Sequence, residues 1–519
     1  MPTSFADILR QHARERPDAA ALTFADHTWS FARLHEGSSR VAQALLAEGV
    51  QAGERVAMLS KNCAQSFELI YACNKMGAVL VGLNWRLSAR EIAAIVADAA
   101  PRVLVVAAEE APLLAELAPA LRESLRIVHL GADYEQWAQD APAQDPGHQG
   151  ALSEVALLLY TSGTTGLPKG VMLSNEGMVH TQRLAQAWGM GPDSVNLVAM
   201  PMFHIGGCGY GSSTMLAGGH TVLLREVQPA QVMACIAKYR VTHAFFVPTV
   251  VQSLLQLDGV EQADVSSLQL LMYGAAPMGD VLLRRALAVL RCRFIQAYGM
   301  TETSGTVTAL PPEDHVPDGE RARLLNSVGR AYPWVDIRVV DPSTLQTAPP
   351  GQVGELWVRS RMVMQGYWKQ PGETAAALVE DGWLRTGDAA SMDAEGYVFL
   401  FDRFKDMIIS GGENIYPAEI ENVLNGHPAV AEVAVIGVPH DKWGETPRAI
   451  VVLRPGQQAS PQDLMDFTRQ RLARYKCPSS VVFAQSLPRN ASGKLLKREL
   501  RLLQAQSQTL SQTSQDNAA

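Results

Sequence analysis

The chain has 519 residues, of which 47% are hydrophobic and 18% charged, with a formal net charge of −8. That length exceeds what one hydrophobic core serves, so at least two domains are expected. The acidic balance and the lack of a long basic run argue against nucleic acid as a partner, and no apolar stretch is long enough to predict a membrane span. Six cysteines (Cys63, Cys73, Cys208, Cys235, Cys292, Cys477) stand apart with no CxxC pair. Free thiols in a reducing compartment are the expectation, rather than disulfides or structural zinc. The start "MPTSFADILRQHARERP" lacks the apolar core of a secretory signal and the end "DNAA" is no peroxisomal address. A cytoplasmic location is the expectation.

Along the chain, the short apolar runs "RVLVVA", "RIVHL", "VALLLY", "TVLLR", "HAFFVP", "LQLLMYG" and "CRFIQAYG" alternate with helix-like segments. Such spacing predicts mostly parallel strands covered by helices on both faces, with ligands at the carboxyl ends of the strands. From about Ser327 the texture changes: "DIRVVDP", "GELWVRS" and "GYVFLFDR" read as a small antiparallel sheet or barrel. Beyond "DRFKD" the elements "PAEIENVLNGHP", "VAEVAVIGVP", "PRAIVVLRP" and "PQDLMDFTRQRLARY" read as a compact α+β unit. The fold class is therefore α/β, with a large domain over 1–402 containing stacked sheets and a small β-barrel. A small α+β domain is expected over 403–501, and a polar, disordered tail over 502–519.

The segment "TSGTTGLPKG" places hydroxyls, glycines and one lysine directly after an apolar run. Glycines let backbone amides approach closely, amides and hydroxyls bind oxygens, and Lys169 adds charge, so an oligo-phosphate ligand is predicted. The pattern departs from G-x-x-x-x-G-K-[ST], because Leu167 and Pro168 separate Gly166 from Lys169. A Walker-type NTPase is disfavoured, whereas nucleotide binding is not. In "YGMTETSG", Tyr298 can stack on a base, Thr301 can donate to a phosphate and Glu302 can hold a divalent cation. "GWLRTGD" ends in Asp388, a carboxylate able to accept both hydroxyls of a ribose. "DRFKDMIISGGENIYPAEIE" carries Arg403 and Lys405 at the domain boundary. "PRNASGKLLKREL" presents Lys494 on a small-residue loop, followed by Lys497 and Arg498, which read as solvated helix-surface cations. A dehydrogenase fits poorly, since "GCGYGS" lacks the third glycine and the acidic partner of the dinucleotide fingerprint.

Taken in order over roughly residues 5–500, these five segments resemble the adenylate-forming superfamily of acyl-CoA synthetases, peptide-synthetase adenylation domains and beetle luciferase. Within it the chain looks most like aryl and medium- or long-chain acyl-CoA ligases. The resemblance implies ATP, Mg²⁺ and coenzyme A as reactants and cofactor. It implies that Thr161, Ser162, Gly163, Thr164, Thr165, Gly166 and Lys169 wrap the ATP phosphates. Gly274, Ala275, Ala276, Tyr298 and Gly299 would border the nucleotide, Thr301 would contact its α-phosphate and Glu302 would help hold the metal. Asp388 and Arg403 would bind the ribose, Lys405 would be the hinge and Lys494 the mobile catalytic lysine. His204, in "PMFHIGG", resembles the gate between the carboxylate tunnel and the nucleotide.

For the thiol step, the resemblance places Gly411 and Gly412 along a narrow channel, Trp443 on the pantetheine arm, and Arg474 and Lys476 near coenzyme A phosphates. It implies an acid pocket of His204, Phe246, Gly274, Gly299 and Ser304. Since "HIGGCGYG" is glycine-rich and carries no cation, an acid with an apolar tail is expected; aryl, cinnamate-type, fatty and alicyclic acids all stay open. Small molecules are the expected partners, and a homodimer is compatible with the chain. A free-standing adenylation enzyme serving a carrier protein and a non-catalytic nucleotide-binding relative are the alternatives.

Overall fold

The computed structural model describes residues 2–161, 168–276, 278–403, 406–410, 413–440, 442–489 and 495–504, without the side chains of 402, 403, 413 and 414. Runs such as Val103–Val106 and Leu270–Gly274 are buried at every residue. Only the interior of a sheet covered on both faces accommodates such strands. Two large sheets result. In the nine-stranded one, six strands run parallel in the order Arg293–Met300, Leu270–Gly274, His243–Phe246, Val195–Val198, His220–Leu223 and Ala20–Phe24. Antiparallel strands close its edges, among them Gly305–Leu310 and His27–Ser30.

The seven-stranded sheet has a parallel half (Val79–Leu83, Arg55–Leu59, Val103–Val106, Arg126–His129) joined to Val155–Thr161. Its other half is antiparallel, where Lys169–Ser174 pairs with Val155–Thr161 and with Gly366–Tyr367. The expected antiparallel unit after Ser327 is a five-stranded sheet built on Asp336–Val340, Gly354–Arg359 and Trp383–Met392, and among the described residues its pairings leave it open.

The helix Ile205–Leu216 decides the shape of the interior. It is buried from Gly207 to Leu216. A Cβ at Gly211 would stand 3.3 Å from both Phe67 and Val198, and one at Gly207 would collide with the carbonyl oxygen of Pro201. Its glycines therefore serve close packing, at the expense of helix propensity.

The C-terminal unit has its own core around Ile408, Ile420, Val435, Val451 and Leu464. A helical stretch over 497–504 packs through Leu500 into a second apolar cluster of this unit, with Ala434, Ile436, Val438 and Ile450. Arg501 pairs with Asp406 at 2.9 Å. Residues 502–504, expected from composition to begin a structureless tail, thus continue a helix anchored by packing. All six cysteines are free thiols, and no helix among the described residues is long and apolar enough to cross a membrane.

Candidate active site

Thr161 and Lys169 face each other at the end of the hairpin formed by Val155–Thr161 and Lys169–Ser174. Ser162, Gly163, Thr164, Thr165 and Gly166 lie outside the described residues. Lys169 forms an ion pair with Glu373, and its Nζ stands 5.0 Å from the centroid of the Tyr367 ring. The Tyr367 hydroxyl donates to Glu302 Oε1 at 3.0 Å. Pairing of Gly366–Tyr367 with Val171 and Met172 brings the tyrosine to the hairpin. One side chain thereby links the lysine of the phosphate motif to the expected metal carboxylate. Glu302 is 7% exposed, and its carbonyl accepts from Met364 N at 2.8 Å.

On the nucleotide side, the Tyr298 hydroxyl donates to Asp388 Oδ2 at 2.7 Å. Asp388 N donates to Thr386 Oγ1 at 3.1 Å, which orients the aspartate at the bend of its strand. Arg403 lies opposite Asp388 in the neighbouring strand. Gly274 ends its strand where any Cβ would strike the carbonyl oxygen of Ala297, and Gly299 is constrained in the same way by Gly305. Ala275 follows in the left-handed region (φ +63°) and is exposed, with Ala276 beside it. Thr301 is buried at the start of the short turn Thr301–Thr303. Gly274, Ala275, Ala276, Tyr298, Gly299 and Thr301 sit at or just past the carboxyl ends of parallel strands, as open α/β sheets dictate, whereas Asp388 lies within a strand of the antiparallel sheet.

His204 caps the buried helix Ile205–Leu216 from outside its first turn. Burial, together with the Arg86 charge, pushes its pKa down to about 4, so the imidazole is neutral near pH 7. A Cβ at Gly305 would lie 4.0 Å from Ile205, so the helix start abuts the "YGMTETSG" segment. Two pocket expectations change here. Phe246 is fully buried in the core, whereas Phe245 approaches within 3.2 Å of a Cβ placed at Gly206 and packs on Tyr210 with ring centroids 5.4 Å apart. Successive strand residues point to opposite faces, so only one of this pair can meet the helix. Ser304 is buried with φ +53°, its hydroxyl donates to Met362 O at 2.7 Å, and Gly177 packs against it. Its hydroxyl serves the fold rather than facing a ligand.

On the thiol side, Trp443 is 46% exposed in the turn between Val430–His440 and Gly444–Leu453, with Lys442 Nζ 4.6 Å from its ring. It is not a packing residue. Arg474 is exposed, but Lys476 is held by both carboxylate oxygens of Glu419 at 2.8 Å. Lys405, Gly411, Gly412 and Lys494 lie outside the described residues. Lys497, expected as a solvated cation, is instead 11% exposed and paired with Glu421 at 3.0 Å. Helix periodicity alone did not reveal that its face turns toward Pro417–Asn425.

Tyr367, Glu373, Phe245 and Tyr210 have no motif signal in the sequence; strand pairing and helix packing bring them in. Among the described residues no group of three or more His, Cys, Asp or Glu could hold a metal. Glu302 fits Mg²⁺ nonetheless, because that ion binds mainly through substrate phosphates with one or two carboxylates.

The family description "AMP-binding enzyme" matches residues 9–368, and "AMP-binding enzyme C-terminal domain" matches 419–494. A fatty acid–[acyl-carrier-protein] ligase, ScoC of Streptomyces coeruleorubidus, is 41% identical over 498 residues, covering 94% of each chain. A feruloyl-CoA synthase of an Amycolatopsis species is 39% identical, covering 95% of this chain and 97% of its own. Among solved structures, ATP-bound MatB from Rhodopseudomonas palustris superimposes with a TM-score of 0.90 at 32% identity, over 97% of this chain and 99% of that one. With the matched domains in the order the motifs demand, this chain belongs to the AMP-binding enzyme family.

Proposed function

We propose that the chain is an AMP-forming acid–thiol ligase that activates a carboxylic acid with an apolar body and transfers the acyl group to coenzyme A. The observation that carries this reading is the linkage of Lys169, Tyr367 and Glu302, since a nucleoside triphosphate bound with Mg²⁺ needs a phosphate-binding cation and a metal-binding carboxylate positioned together. In the first step a carboxylate oxygen attacks the α-phosphorus of ATP, the bond to the β-phosphate oxygen breaks, and pyrophosphate leaves. Two anions approach each other, and a like-charge pair at 4 Å costs about 4 kcal/mol at an effective dielectric of 20. Lys169 and Lys494 offset that repulsion, while Mg²⁺ held by Glu302 would supply charge stabilisation on the phosphates. Asp388, oriented by Tyr298, binds the ribose with Arg403. The neutral His204 stands at the acid entrance without adding charge.

In the second step a thiol sulfur attacks the acyl carbon, its proton passes to solvent, and AMP leaves. Exposed Trp443 is available to stack on the pantetheine arm, and Arg474 to meet phosphates. We assign the domain boundary to 402/403 and the hinge to Lys405, with rotation exchanging Lys494 for Gly411 and Gly412. Free thiols and the reactants favour a cytoplasmic location.

A carrier-protein thiol is the second reading, favoured by the similarity to a ligase of that kind. Acid-dependent pyrophosphate release across a panel of carboxylic acids, with coenzyme A or an acyl carrier protein as acceptor, tests both. No acid-dependent release would overturn the ligase reading. Release followed by transfer to the carrier alone would replace coenzyme A as acceptor. Sizing the same preparation reads out whether the chain forms a homodimer.

A further inference from the structure

Tyr210 is buried, and its hydroxyl has no hydrogen-bond partner among the described residues. Leaving a buried hydroxyl unpaired is costly, so each such group in a folded protein calls for a reason. Its ring neighbours offer none: Phe245 is apolar, and Trp188, 5.9 Å away, already donates its Nε1 proton to the Tyr332 hydroxyl. Burial pushes the Tyr210 hydroxyl well above the usual phenolic range, so it remains a donor.

The position of this side chain is informative. Gly206 and Tyr210 are four residues apart on one face of the buried helix, and Phe245 lies against both. Together they form one continuous wall that begins at His204. On the same face of the sheet as Phe245 lies His243, and in register with His243 is Asn196, fully buried with both amide atoms unpartnered. Two orphaned polar groups therefore stand beyond an otherwise apolar wall. Tyr210 lies six positions beyond His204, or about 9 Å along a helix axis.

Resting on the ligase reading above, we infer that Tyr210 is the specificity-determining floor of the acid pocket. Its hydroxyl donates to an oxygen at the far end of an acid about as long as one aromatic ring with a short linker. A phenol, aryl ether or carbonyl oxygen para to the linker satisfies it. A long unbranched fatty chain leaves it unpaired and overruns the pocket. Sites built to bond a substrate oxygen discriminate against analogues that lack it more strongly than apolar pockets discriminate by size.

The test measures kcat/KM for pyrophosphate release with 3-arylpropenoic acids bearing hydrogen, hydroxyl or methoxyl at the 4-position. Wild type is expected to favour the oxygenated acids by about ten-fold or more. Tyr210→Phe keeps the ring contacts and is expected to bring that ratio to about one, by losing rate on the oxygenated acids only. Tyr210→Ala is expected to gain turnover with acids several carbons longer, a change that misfolding does not produce. Equal wild-type rates with and without the 4-oxygen overturn the inference, even if no variant folds. An unchanged ratio in Tyr210→Phe, or no gain with longer acids in Tyr210→Ala, also overturns it while leaving the ligase reading intact. Absence of release with every acid, by contrast, removes the ligase reading itself.

Discussion

At the residue scale, Tyr367 does two separable things: its hydroxyl orients Glu302 and its ring faces the Lys169 ammonium. Tyr367→Phe removes only the first. It should raise the Mg²⁺ concentration for half-maximal pyrophosphate release about ten-fold or more, with the KM for ATP at saturating Mg²⁺ nearly unchanged, since one neutral–charged hydrogen bond is worth about 1.5–3 kcal/mol. An equal rise in both constants would count against a role through Glu302. Lys75 provides a second residue-scale prediction. It is fully buried, donates to His35 O, Ser38 Oγ and Ser39 Oγ at 2.6, 2.9 and 2.7 Å, and stands 3.9 Å from Asp145. Burial lowers its pKa from 10.5 to about 7, against the pull of Asp145. Between those values the unfolded chain binds the proton more readily, so folding stability rises with pH from about 7 toward 10.5. Urea unfolding should find wild type gaining stability relative to Lys75→Met between pH 7 and pH 9. A pH-independent difference would refute the assigned titration.

At the element scale, the helix Ile205–Leu216 is a poor helix former by composition and still runs twelve residues through the interior. Packing on both sides compensates for its glycines. Gly207→Ala drives a methyl group into the backbone of Pro201 and should cost about 1–3 kcal/mol or more in stability, displacing His204 with it. Gly191→Ala is the control, because a Cβ there meets nothing within 4 Å. Thermal unfolding should separate the two variants by several degrees; equal melting temperatures would mean that the helix has room that the structure does not contain.

At the scale of the whole molecule, two chemical steps share one acyl centre, and the small domain has a core of its own with which to move as a unit. Under the proposed alternation, Lys494→Ala should abolish acyl-adenylate formation while the variant still makes thioester from preformed acyl-adenylate. Single-turnover assays of each half-reaction check this, and equal slowing of both would remove the alternation. Trp443→Ala should raise the KM for coenzyme A well above any change for ATP and leave the melting temperature unaltered, since the ring is exposed.

The layered α/β architecture is legible in the chain alone, because continuous apolar runs between helices fit strands buried inside covered sheets. The sequence by itself also determined the nucleotide chemistry, because glycine, hydroxyl and carboxylate residues in "TSGTTGLPKG", "YGMTETSG" and "GWLRTGD" are local patterns readable from neighbours in the chain. What it left undecided depends on contacts between distant segments. That Phe245 rather than Phe246 meets the glycine helix is a matter of which strand face turns inward, and both residues are equally apolar in the sequence. That Ser304 is consumed by Met362, Lys476 by Glu419 and Lys497 by Glu421 depends on partners 58, 57 and 76 residues away. Tyr367 enters the site only because its short strand pairs with Lys169–Ser174, and Tyr210 is orphaned while its two ring neighbours are apolar or already bonded. Periodicity and motif spacing encode which groups a segment offers. Which of those groups are left free for chemistry is settled by the fold, because hydrogen-bond and charge partners are chosen across it rather than along the chain.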